Sequence, residues 1–315
     1  MKKLVCAAIA ACLVFSAMPA FADDLKPVGV TFGDLANPVW ADTANGMEEH
    51  GEEYGFTVNV MGCETAEEQI EQCENFLTAG TEAIVVGAKD TNSMGDYMKQ
   101  VVEDGTVVFA LGYEISNYTA EMYVKNYEVG YAVAKLAAQW INDTFEDGKC
   151  EVLINDAPEY DVLVDRVDGM KAALEEFAPN AEIVNYISGT TTNEIMPQAE
   201  NALTANPNIK CCITVGDGGA LACKEAAAGA GVDGDDFGIF CVDCTSAVAT
   251  TIRDGGSIKG AICLGGGATH ARMILECLQK IFAGEEYEKE FAYPEYEVTI
   301  DNVVEVCEAQ NIPLE

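Results

Sequence analysis

A chain of 315 residues with 53 acidic side chains against 17 lysines and arginines has a formal charge of −36. Such a field repels phosphate backbones and anionic lipid, which excludes nucleic acid as a partner. The length suits two domains of ordinary size, and the acids are scattered over every segment, so the charge reads as a solvated surface with at most a mild bias against anionic ligands.

Lys2 and Lys3 open the chain, Leu4 to Met18 form an apolar run, and Ala20-Phe21-Ala22 end it with small residues. This is the layout of a secretory signal peptide over residues 1–22, cleaved after Ala22, and it implies a periplasmic protein. The run is shorter than the roughly 20 residues that span a bilayer, which argues against an anchor. Cys6 and Cys12 stand too early for a lipid-modified cleavage site, so a free soluble protein is expected.

Short apolar runs then alternate with longer amphipathic ones. Val28 to Phe32 reads as a buried strand, and Pro38 to Tyr54 as a helix with Asn37 at its N-cap and Pro38 at its first position. Thr57 to Met61 is a strand, and Thr65 with Glu68 makes a capping box for the next helix. Ala83 to Val86, Thr91 to Asp104 and Val107 to Leu111 continue as strand, helix, strand. The rhythm restarts with a helix over Glu128 to Phe145. Strands follow at Cys150 to Ile154, Glu182 to Ile187, Cys211 to Val215, Gly238 to Cys241 and Lys259 to Leu264. Helices over Val162 to Phe177, Asn193 to Ala205, Gly218 to Ala228 and Ser246 to Asp254 separate them. Ala268 to Ala283 is a last helix, and the tail after Phe291 reads as short and β-like.

Alternating strands and helices imply parallel sheets covered on both faces. A single sheet would need about ten strands, near the limit for an open twisted sheet, so two βαβ domains are the economical reading. Ligands of such folds bind beyond the carboxyl ends of the strands. Chemistry is therefore sought at 33–40, 87–90, 112–114, 155–161, 216–218, 243–246 and 265–267.

Thirteen cysteines less Cys6 and Cys12 leave eleven, an odd number with at least one unpaired thiol. Cys241 and Cys244 form a lone C-x-x-C, and the only histidines are His50 and His270. A zinc site wants a second such pair or nearby histidines. No metal and no cofactor are expected, and most cysteines read as small buried apolar residues. No Ser-His-Asp order, G-x-S-x-G elbow or Walker loop suggests an enzyme.

Five segments in series resemble the ribose- and galactose-binding branch of periplasmic binding proteins. They are ANPVW, GTEAIVVGAKDTNSM, DRVDGM, LTANPNIKCCITVGDGGALACKEAAAGAG and FGIFCVDCT. The resemblance implies two doubly wound parallel-sheet α/β lobes joined by a three-segment hinge, with crossovers near 125–127, 264–267 and 295–298. Lobe one would be 23–125 plus 266–296, and lobe two 126–265 plus 297–315. It further implies a monomeric receptor that closes on a small molecule and delivers it to ABC transporter permease subunits, or presents its closed form to a membrane sensor.

Carried over residue by residue, the resemblance makes Asn37 a polar ligand contact and Trp40 the aromatic that stacks on a sugar ring. Arg166 would grip ring or hydroxyl oxygens, and Asp243 would accept bonds from vicinal hydroxyls. Tyr160 and Asp161 lie on a loop with further polar contacts, and Thr190 stands where an aromatic often closes the opposite face. The chain departs from the pattern at Gly112-Tyr113-Glu114, Gly216-Asp217 and Gly265-Gly266-Gly267. Tyr113, Glu114 and Asp217 remain candidates, although Asp217 reads first as a cap of the following helix, Asp243 on the residues alone reads equally as a cap, and Trp40 reads also as core. The resemblance and its departures together imply a pocket roomier than a pentose pocket and less densely polar. The expected ligand is a neutral hydroxylated molecule, a sugar or sugar derivative, with a cationic solute such as a polyamine as the alternative.

Overall fold

The computed structural model describes residues 25–315 other than 34, 36, 37 and 113, and only the backbone of Pro38. The leader, Asn37 and Tyr113 lie outside the described residues. Two six-stranded sheets organise the chain. The first contains β1 (Lys26–Phe32), β2 (Phe56–Gly62), β3 (Ala83–Gly87), β4 (Val107–Gly112), β5 (Ala120–Tyr123) and β11 (Glu290–Ala292), in the order β11-β5-β4-β3-β1-β2. The second contains β6 (Glu151–Asp156), β7 (Glu182–Ser188), β8 (Ile209–Thr214), β9 (Gly238–Val242), β10 (Ile258–Cys263) and β12 (Tyr296–Thr299), in the order β12-β10-β9-β8-β6-β7. The two orders mirror each other element for element. Every described strand pairing is parallel except that of β12 with β10.

The helices are α1 (Pro38–His50), α2 (Ala66–Thr78), α3 (Thr91–Glu103), α4 (Asn126–Thr144), α5 (Asp161–Phe177), α6 (Thr192–Ala205), α7 (Asp217–Ala230), α8 (Ser246–Arg253), α9 (Gly267–Ala283) and α10 (Val303–Gln310). The central strands are buried on both faces, as helices on both sides require: β3 and β9 have every residue buried. The Thr65 hydroxyl accepts the amide of Glu68 at 3.1 Å and starts α2.

The chain crosses between the sheets three times: from β5 into α4, from β10 into α9, and from β11 to β12. One apolar cluster runs through both halves, from Val30 and Phe109 to Val152 and Phe240. The eleven cysteines among the described residues are all free thiols, and all but the half-buried Cys63 are buried. The sequence pattern and the structure part in two places. The first helix ends at His50 and tightens into a 3-10 turn over Gly51–Tyr54, where a Cβ on Gly51 would lie 2.7 Å from Val58. The tail is not only β-like: β12 is followed by α10, whose Val303 and Cys307 are buried.

Helices α4 and α5 pack backbone against backbone. A Cβ on Gly130 would lie 1.8 Å from the carbonyl oxygen of Arg166, and one on Gly169 would lie 2.0 Å from that of Tyr127. No side chain fits at either position, and this contact sets where Arg166 meets the cleft. Gly169→Val should therefore cost about 3 kcal/mol or more, the upper end of overpacking penalties. Urea unfolding checks this, and a midpoint equal to that of the wild type would rule out the close contact.

Candidate functional site

A cavity of about 170 Å3 lies where the carboxyl ends of the two sheets face each other. Trp40 of α1 and Gly112 at the end of β4 wall it on one side. Arg166 of α5, Thr190 before α6, Gly216-Asp217 at the start of α7 and Asp243 after β9 wall it on the other. Val124, Asn126, Leu264, Gly265 and Tyr293, at or beside the three crossings, complete it.

The indole of Trp40 is half-buried, with its ring 5.3 Å from that of Phe32 in an edge-on arrangement. Gly87 makes room for it, because a Cβ there would lie 2.5 Å from the indole. The same six-membered edge of the indole passes Gly112, which holds φ +78 at the end of β4. Trp40 thus belongs partly to the core and partly to the cavity wall.

Arg166 is only 7% exposed. Its Nε and Nη2 donate to Asn126 Oδ1 at 2.9 and 2.7 Å, and its Nη1 donates to the carbonyl oxygen of Val215. The guanidinium is therefore fixed by the first residue of α4 and the end of β8. Among the described residues lining the cavity it is the one lysine or arginine.

Asp243 stands opposite with φ +70, a left-handed conformation that costs most side chains energy but is tolerated by Asp and Asn. Its amide donates to Ile262 of β10 at 2.9 Å. Burial pushes its carboxyl up to about 6, with Asp217 adding to the rise and Arg166 opposing it. Asp217 lies in the first turn of α7 and accepts the amide of Gly218 at 2.8 Å, so it serves its own helix while facing the cavity. Thr190 is exposed at the mouth. Its loop is held because Asn155 Nδ2 donates to the carbonyl of Gly189 at 3.1 Å.

Glu114, Tyr160 and Asp161 do not line this cavity. Glu114 is exposed and turns into a separate pocket with Tyr118, Glu121 and Glu290. There burial raises the Glu121 carboxyl to about 7, with Glu114 and Glu290 adding to the rise. Tyr160 is 41% exposed and Asp161 is exposed, both at the start of α5, while their neighbours Val162 and Leu163 line the cavity in their place.

Sequence reasoning passed over Asn126, Tyr293 and the cavity role of His270. His270 is 1% exposed, its Nε2 is 2.8 Å from the carbonyl oxygen of Leu264, and its ring meets Tyr293 edge-on at 4.7 Å. Burial holds it down to about 4, so it is neutral and structural, bracing the second crossing. The available signal was a lone histidine one turn into a helix that follows three glycines.

The arrangement offers a fixed cation, two carboxylates and an aromatic face. A family model described as "Periplasmic binding protein domain" matches residues 28–286. The "Multiple sugar-binding periplasmic receptor ChvE" of Rhizobium radiobacter is 25% identical over 172 residues, covering 53% of this chain and 48% of that receptor. The matched region thus spans about half the length of that relative. An ABC transporter periplasmic solute binding protein from Actinobacillus succinogenes, solved with bound D-allose, superposes with a TM-score of 0.81 at 20% identity, covering 89% of this chain and 99% of that one. A solute binding protein from Bacillus halodurans, solved with bound myo-inositol, superposes with a TM-score of 0.78 at 23% identity, covering 91% and 98%.

Asp243 gives a pH prediction. A carboxyl raised in the folded state binds more protons folded than unfolded between about pH 4 and 6, so its contribution to stability falls as pH rises through that window. Asn keeps the left-handed backbone and removes the charge. The stability of Asp243→Asn relative to wild type should grow by about 1–3 kcal/mol from pH 4 to pH 7.5, at about 1.4 kcal/mol per pKa unit. Denaturant titrations at the two pH values test this; a difference that does not change with pH would contradict it.

Proposed function

The chain belongs to the periplasmic binding protein domain family, and from that premise we propose that it is an extracytoplasmic receptor for a neutral, hydroxylated small molecule, a sugar or sugar derivative. Residues 23–125 with 266–296 form one lobe, and 126–265 with 297–315 the other. The lobes close about the three crossings, and the closed form delivers the ligand to the permease subunits of an ABC importer without chemical change.

The observation that carries this reading is the convergence of Trp40, Arg166 and Asp243 on one cavity between the two sheets. The indole offers an apolar face for the C–H side of a ring. Arg166 supplies a charged donor and Asp243 a charged acceptor, a pair suited to neighbouring hydroxyls. Hydrogen bonds to charged groups contribute roughly 1.5–3 kcal/mol each, so these two dominate affinity. Asp217 beside Asp243 disfavours an anionic ligand. The sugar and cyclitol ligands of its relatives agree with this chemistry. The paired carboxylates Asp217 and Asp243 also favour a cation, against which Arg166 stands as a like charge.

A thermal-shift screen of sugars, cyclitols, nucleosides and amines tests the reading. A true ligand at about a hundred times its Kd adds roughly 2.7 kcal/mol of stability. We expect sugars or cyclitols to be the hits. Calorimetry should then show Asp243→Asn and Trp40→Ala each weakening binding tenfold or more, about 1.4 kcal/mol. Hits confined to amines, or undiminished affinity in both variants, would overturn the proposal.

A further inference from the structure

A second cavity, of about 450 Å3, adjoins the first and shares Val39, Asp243, Leu264 and Gly265 with it. It lies between α1, which contributes Asp42, Asn45 and Glu49, and the loop after β9, which contributes Thr245 and Ser246. The glycines of the second crossing and Asn311-Ile312-Pro313 of the tail close its remaining sides. The compartments differ in scale. The first holds about 170 Å3 and the second about 450 Å3, and together they fall within the roughly 300–1,000 Å3 of pockets for larger small molecules.

The wall from lobe two carries two unmet bonds. Thr245 Oγ1 and Ser246 Oγ are both withdrawn from solvent and have no hydrogen-bond partner. Thr245 holds the N-cap position of α8 but its side chain makes no capping bond. An orphaned buried hydroxyl is unusual and calls for a partner from outside the chain. Asp42, Glu49, Asn45 and Asn311 line the same compartment, and their carboxylates and amides suit ligand hydroxyls. Among the described residues no lysine or arginine lines this compartment, and His50 there is engaged with Glu53 at 3.2 Å. The carboxylates of Asp42, Glu49 and Asp243 disfavour a phosphate or carboxylate on the ligand.

We propose that the site is bipartite: the first ring of the ligand sits between Trp40 and Arg166, and a second, uncharged hydroxylated unit extends past Asp243 into the compartment lined by Asn45, Thr245 and Ser246. The ligand class is then a disaccharide or a glycoside with a polar second unit, without an anionic group. Asp243, at the junction of the two compartments, contacts the linkage between the units. The inference rests on the sugar-receptor reading above and narrows its ligand.

Calorimetry of the full-length mature protein against monosaccharides and cyclitols, and against disaccharides built from them, tests the proposal. At least one two-ring ligand should bind tenfold or more tightly than its single-ring component. Asn45→Phe, at an exposed position of α1 that lines only the second compartment, should erase that advantage and leave single-ring affinity within about twofold. Ser246→Ala should weaken the two-ring ligand alone by about fivefold, without lowering the unfolding temperature of the free protein, because no internal bond is lost. Single rings that bind as tightly as every two-ring ligand, or an advantage that survives Asn45→Phe, would overturn the bipartite site while leaving the receptor reading intact. If no sugar of either size binds, both fall together.

Discussion

One buried charge governs the cleft. Burying a guanidinium is costly unless its N–H groups are bonded and opposite charge is near. Arg166 meets both conditions through groups from three separate stretches of chain: Asn126 at the start of α4, the Val215 carbonyl at the end of β8, and Asp243 after β9, whose carboxyl it pulls towards ionisation. These contacts require α4 and α5 to touch through Gly130 and Gly169, and require β8 and β9 to end where they do. The cavity is what remains when those demands are satisfied.

The opposite wall answers different forces. Trp40 is placed by core packing, against Phe32 and over Gly87 and Gly112. Its aromatic surface faces the cleft because two strand ends have no side chain in the way. His270, neutral and buried, braces the second crossing through the Leu264 carbonyl and the ring of Tyr293. The cleft is therefore polar on one side, aromatic on the other and braced at its back, which suits a molecule with one apolar face and a rim of hydroxyls.

The alternation of strands and helices was legible in the sequence because doubly covered strands are apolar throughout, while their helices keep a periodic stripe. What escaped was short or partly exposed. β5 has only four residues and depends on pairing with β4 and β11, the latter more than 160 residues away in the chain. α10 has eight residues and buries a narrow face. In the site, residues just after strands were findable from the rule that ligands gather there, and Trp40, Asp217 and Asp243 follow it, while Thr190 came through the family resemblance. Arg166, a turn inside α5, came through the DRVDGM motif. Tyr160 and Asp161 sit close to it in sequence, but the helix start turns Val162 and Leu163 to the cavity and leaves those two exposed. Asn126 and Tyr293 were invisible because they lie at crossings, where partners are distant in sequence and no periodicity marks them.

The central claim is that the ligand lies against Trp40. The chain has two tryptophans, Trp40 in the cleft and Trp140, which packs against Phe145 and Phe240. In Trp140→Phe, Trp40 is the sole indole reporter. Titrating that variant with a sugar that raises its unfolding temperature should change the intensity and shift the emission maximum of Trp40, in step with the calorimetric isotherm. Saturating binding with the Trp40 emission unchanged would place the ligand elsewhere and contradict the account.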